Sequence, residues 1–162
     1  MSSTLFVDAI EPNLSSGVHI AGHVIQVQEI SGLASGSTIT SSATYVATGY
    51  QVTITPNFST SKILLMWHCL GQQPNGVVGV AVTTIYRGGT NLGGPSVGQS
   101  SIGDFSAAGT ITAPNVIIYV DEPNTTSAVT YTIYGRNSAG SGNAFIVHDA
   151  ASYSFIAQEI AQ

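Results

Sequence analysis

The chain has 162 residues, only 7% of them Asp, Glu, Lys or Arg, and a formal net charge of −5. An average soluble domain is about 25% charged, whereas the basic side chains here are Lys62, Arg87 and Arg136 alone. Without a basic cluster to neutralise phosphates or an anionic bilayer, nucleic-acid binding and membrane attachment are excluded as expectations; without an apolar run near 18 residues, so is a transmembrane helix.

The length suits one domain, able to bury roughly 70% of the surface its unfolded chain exposes. The mean hydropathy is positive, +0.29. A free monomer normally carries a charged, mixed surface, so a chain this poor in charge is expected to hide much of its surface against other protein. The single cysteine, Cys69, excludes an intrachain disulfide. It lies in the most apolar segment and reads as a small buried hydrophobe. The opening MSSTLFVDAIEPN has neither a basic n-region nor a continuous apolar h-region, so no signal peptide is expected.

Ser, Thr, Val, Ile, Tyr and Gly dominate, which is strand-and-turn composition, and no window has a 3.6-residue period. Thr4 to Asp8 fits a short strand, and EPNLSSGVHIAG, 11 to 22, a turn-rich connector. Residues 1–22 are too short and too rich in turns for a domain. They read as an N-terminal attachment arm with Leu5, Val7, Ile10 and Leu14 as its partner-binding positions.

Val24 to Ile30 alternates as a strand, and 31–42 reads as a loop. Thr44 to Thr55 is a strand pair or one bent strand with Gly49 at the corner. Lys62 to Leu70 is a central strand, and GQQPNG turns it. Val77 to Arg87 is a long strand, followed by the loop GGTNLGGPSVGQSS. Thr110 to Asp121 is a strand bent or interrupted at Pro114. EPNTT turns it, Val129 to Arg136 pairs back, Ala144 to His148 is short, and Ser152 to Ile160 closes the domain. Turn-punctuated strands with uneven loops predict an all-β, jelly-roll-like antiparallel β-sandwich of about eight strands over 23–162.

SKILLMWHCL, 61 to 70, raises a question that this fold leaves open. In a strand, Ile63, Leu65, Trp67 and Cys69 face one way and Leu64, Met66, His68 and Leu70 the other. Both faces are largely apolar. NVIIYV, 115 to 120, repeats the feature, and YSFIAQEI, 153 to 160, does so in part. A sandwich needs one apolar face per sheet. The second is expected to meet another copy, as in three jelly rolls around a three-fold axis, or a second layer such as the arm. Trp67, Ile63, Leu65, Ile118, Ile133 and Phe155 are the candidate core residues.

Catalytic features are sparse. No carboxylate pair is placed for acid/base work, and Asp121 and Glu122 read as a solvated turn before Pro123, with calcium binding as the sharper alternative. His19, His23, His68 and His148 lack metal-ligand spacing, although a histidine on a three-fold axis would appear three times. There is no G-x-S-x-G, and the Gly-rich GGTNLGG and AGSGNA open no helix. The N-x-S/T triplets at Asn13, Asn57 and Asn124 fit a Ser/Thr/Asn-rich chain without a secretory signal. No catalytic residue, cofactor or metal is assigned, and no enzyme is expected. Loops carrying Phe58 and Phe105 are open to a glycan or receptor, or are passive surface.

Several stretches in combination resemble small virion structural and fibre-like proteins of tailed bacteriophages, notably those infecting cyanobacteria. They are STLFVDAIEP with SSGVHIAGHVIQV near the N-terminus, ITPNFSTSKILL (54–65), IYRGGTNLG (85–93), YVDEPNTTSAVTYTIYGRN (119–137) and IAQEIAQ (156–162). The resemblance covers most of the chain and brings no catalytic residues. It implies a homotrimeric β-rich knob on the virion, attached through its N-terminal part to other virion proteins. Two roles follow. One is a capsid decoration or cement protein that stabilises the head. The alternative is a tail or neck fibre knob that contacts a host-surface glycan or receptor through its loops. The absence of a shaft repeat, coiled-coil heptads or G-X-Y triplets favours decoration.

Overall fold

Lys62 to Gln73 is one unbroken strand, and the rest of the molecule is arranged around it. In the computed structural model, residues 20–35, 38–76, 79–104, 109–140 and 142–162 are described. The arm positions Leu5, Val7, Ile10 and Leu14, and also His19 and Phe105, lie outside them. The strands are β1 Val24–Leu33, β2 Thr38–Thr40, β3 Val46–Ile54, β4 Lys62–Gln73, β5 Gly79–Arg87, β6 Thr90–Asn91, β7 Ser100–Asp104, β8 Ile111–Asp121, β9 Val129–Asn137, β10 Ala144–Val147 and β11 Ser152–Ile160. No helix among the described residues is long and apolar enough to cross a membrane.

All pairings are antiparallel. In the six-stranded sheet, β4 carries β8 along one side and β11, then β10, along the other; β1 flanks β11 and β2 flanks β10. The five-stranded sheet has β9 between β3 and β5, with β6 and β7 on the far side of β5. Leave aside the short β2, β6 and β10, and number the other strands one to eight in chain order. One sheet then reads 1-8-3-6 and the other 2-7-4-5. This is the double Greek key of a jelly roll. It also explains why no helical crossover is needed: every neighbour is antiparallel.

The core lies between the sheets. Ile63, Leu65, Trp67 and Cys69 of β4 point into it, with Phe155 and Ala157 of β11 and Ile117 of β8. They meet Val52, Ile54, Ile85, Tyr131 and Ile133 of the second sheet. Trp67 is at the aromatic centre, 5.5 Å from the Tyr50 ring and 5.8 Å, edge to face, from Phe155.

Several sequence expectations are corrected. The 31–42 stretch is not all loop: it holds the end of β1 and β2. The residues GQQ continue β4, because Gly71 to Gln73 pair with β8. The long loop after Arg87 contains β6, and its last two residues, Ser100 and Ser101, begin β7, a short strand that offered no apolar alternation. Pro114 does not interrupt β8, because β8 is at the sheet edge, where a missing N–H costs no ladder bond. Gly49 (φ 88) does mark a register shift, between Ala47 and Gln51.

Candidate functional site

The site is the outer face of the six-stranded sheet. Side chains paired across antiparallel strands share a face, so the register lays out its rows. Val27, Gln158, Leu64 and Val120 form one row; Glu29, Ile156, Met66 and Ile118 the next; Ser31, Ser154, His68 and Val116 the third. Ten large hydrophobics among the described residues are exposed, and seven project from this face: Val24, Val27, Leu33, Leu70, Val116, Ile118 and Val120. At its centre is a shallow open depression of about 230 Å³ lined by Met66, His68, Val116, Ile118, Ser154 and Ile156. The charged residues in these strands' outward positions are Glu29 and, at one end, Lys62, which pairs with Glu122 at 3.0 Å.

The other sheet's outer face is treated differently. The segment after β5 folds back over it, so Val82 and Thr84 are buried although they point away from the core. The Thr84 hydroxyl donates to Asn91 Oδ1 at 2.7 Å, and the Gln99 side chain accepts from the Ile85 amide at 2.8 Å. Gly93 makes the close approach possible, because a Cβ there would stand 2.4 Å from Thr84 Oγ1. Beside the loop, Tyr86 stacks on Tyr134 and Arg136 lies over the Tyr45 ring, its guanidinium also donating to the Ser96 and Ala43 carbonyls. Around β5, this sheet is covered by its own chain. Among the described residues, nothing comparable covers the other.

Of the candidate core residues, Trp67, Ile63, Leu65, Ile133 and Phe155 are brought together between the sheets. Ile118 is not. It is 70% exposed, in the middle row of the outer face on the edge strand β8, while its neighbour Ile117 takes the core position opposite Trp67. Val27, Glu29 and Leu33 of β1 also belong to this face. The bulge between Val24 and Gln26 hides their membership, because it breaks the two-residue alternation that would have revealed it.

The buried carboxylates Asp121 and Glu159 are tied into the structure. Asp121 is a correction: it is 5% exposed rather than solvated. Arg87 Nη1 reaches both of its oxygens, at 3.0 and 2.9 Å, and the Tyr131 hydroxyl donates to it at 2.7 Å. Asp121 shares the parity of Ile117 and Tyr119, and pairing with β4 turns that parity inward. Burial, with the adjacent Asp121 carboxylate, pushes the Tyr131 phenol well above its usual range. Glu159 is fully buried and accepts from Gln26 Nε2, from the Asn57 amide and Nδ2, and from the Phe58 amide, at 2.8 to 3.2 Å. It holds the turn after β3 against β1 and β11. Burial pushes the Cys69 thiol up to about 12, so it stays protonated and unreactive at neutral pH. Among the described residues no three His, Cys, Asp or Glu side chains are grouped to hold a metal ion, and Asp121 and Glu122 belong to no such group.

No family model and no curated protein matches this chain.

Proposed function

We propose that this protein is a non-enzymatic structural component of a bacteriophage particle. It acts as a homotrimeric surface knob, held through its N-terminal arm, that decorates the head and stabilises it. The observation that carries this reading is the apolar outer face of the six-stranded sheet. Contiguous exposed apolar surface of this kind marks an association site, and burying it contributes roughly 25 cal/mol per Å² removed from water. The scarcity of charge points the same way, because a surface with three basic residues has little to keep copies apart. The virion setting rests on the sequence resemblance described above.

Sedimentation of the pure protein tests self-association: three chain masses at micromolar concentration support the reading, and a stable monomer sinks it. Cryo-electron microscopy of the intact particle tests the role. Many copies at lattice three-folds of the head establish decoration. A few copies at the tail or neck replace it with the adhesin role.

A further inference from the structure

We infer that the free edge of β8 is a strand-pairing site for a second copy of this chain, and that the edge it receives is the neighbour's β1. This rests on the trimer reading above and specifies how the trimer is joined.

Among the described residues β8 has one strand neighbour, β4, and pairs with it over eleven consecutive residues without a register shift. Edges are usually blunted by bulges, as β3 is at Gly49. Over residues 115–120 β8 carries neither a bulge nor a charge. Pro114 shows which amides face outward. It has no N–H, so Leu70↔Pro114 cannot be a hydrogen-bonded pair. Pair type alternates along an antiparallel ladder. His68↔Val116, Met66↔Ile118 and Leu64↔Val120 are therefore also non-bonded pairs, and the amides and carbonyls of Val116, Ile118 and Val120 point to the free side. Carried through β4 and β11, the same alternation leaves Val27, Glu29 and Ser31 pointing outward from β1.

Direction and symmetry then select the partner edge. Across β1, β11, β4 and β8 the strands alternate in direction, so a neighbour related by rotation about an axis along the strands brings its β1 to β8 antiparallel. A two-fold axis pairing β8 with β8 leaves both apolar faces in water. Rotation about an axis along the strands turns the faces inward while it joins the edges. Four strands about 4.8 Å apart make a sheet about 19 Å wide, and a triangle of that side has its centre about 5.5 Å from each sheet. That is close to half the ~10 Å at which sheets pack. Two copies would leave their edges about 10 Å apart, too far to pair, and four would leave a void. Three copies close the edges and fill the interior together.

The experiment starts from the wild-type assembly. A monomer in sedimentation overturns the trimer and this inference with it. Given a trimer, a β1 cysteine (Val27→Cys, Glu29→Cys or Ser31→Cys) is combined with a β8 cysteine (Val116→Cys, Ile118→Cys or Val120→Cys). Cys69 is left in place because it is buried. Directly opposed strand residues fall within disulfide reach. Air oxidation is expected to convert at least one combination into a covalent trimer on denaturing gels, while each single variant runs as one chain. Covalent dimers from a β8 single variant identify a two-fold β8 joint and overturn the proposal. So does failure of every combination in an intact trimer, which leaves the trimer itself standing. Hydrogen exchange on the wild-type trimer needs no variant. The Val116, Ile118 and Val120 amides are expected to be protected at least 100-fold, and unprotected rates overturn the joint.

Discussion

Met66 on β4 stands directly opposite Ile118 on β8, outside the sandwich, while their sequence neighbours Trp67 and Ile117 form the adjacent pair inside it. A single register thus places one pair of large apolar side chains in the core and the next pair at the surface. The outer pair has no packing duty within the chain, which makes it the place to separate association from folding.

Ile118→Lys is expected to leave the fold intact, with a stability change within about 0.5–1 kcal/mol, as for exposed positions. It is also expected to convert the assembly to monomer, because a lysine ammonium would have to be buried against Met66 and its counterparts. Sedimentation and thermal melting of the same sample separate the two effects.

Trp67→Ala is expected to cost about 3–5 kcal/mol. It removes the ring that touches Tyr50, Tyr153 and Phe155. Denaturant unfolding followed by circular dichroism, in the Ile118→Lys background so that dissociation does not intrude, measures it. An unchanged midpoint would remove Trp67 from the core.

Glu159→Ala leaves the Asn57 and Phe58 amides without this acceptor in a partly buried turn. Each unsatisfied group costs about 1–3 kcal/mol. The expected signature is local as well as global: faster hydrogen exchange at Asn57 and Phe58 than at β9 amides.

Glu29 is the one carboxylate in the outward positions of these strands, in the row of Ile156, Met66 and Ile118. Desolvating it opposes association. Glu29→Gln is therefore expected to tighten the assembly by about tenfold or more, roughly 1.4 kcal/mol, with little change in monomer stability. Dilution-dependent sedimentation reads this directly.

The Cys69 thiol is raised from 9.0 to about 12 by burial. A folded-state value above the unfolded one means that the unfolded chain loses its proton first. The contribution to stability is complete below about pH 9 and is lost as pH rises towards 12. Cys69→Ala is expected to flatten the alkaline stability curve in that window. Native protein at pH 8 is expected to resist thiol labelling until it is unfolded.

Sequence alone determined the class of fold, because turn residues and two-residue alternation are local signals. It also determined the placement of Ile63, Leu65 and Trp67 on one face of a strand and Leu64, Met66 and His68 on the other. It raised the question of the second apolar face, because composition cannot hide an excess of apolar side chains. It did not determine which face is inner where both are apolar. In NVIIYV the choice of Ile117 over Ile118 follows from pairing with β4, fifty residues away in the chain. Nor did it show that Asp121 is buried, since Arg87 and Tyr131 converge on it from the opposite sheet. The jelly-roll order, the free edge of β8 and the loop that dresses one sheet but not the other are relations between distant segments. Tertiary packing decides them because they depend on which strands become neighbours, and local propensity carries no information about that.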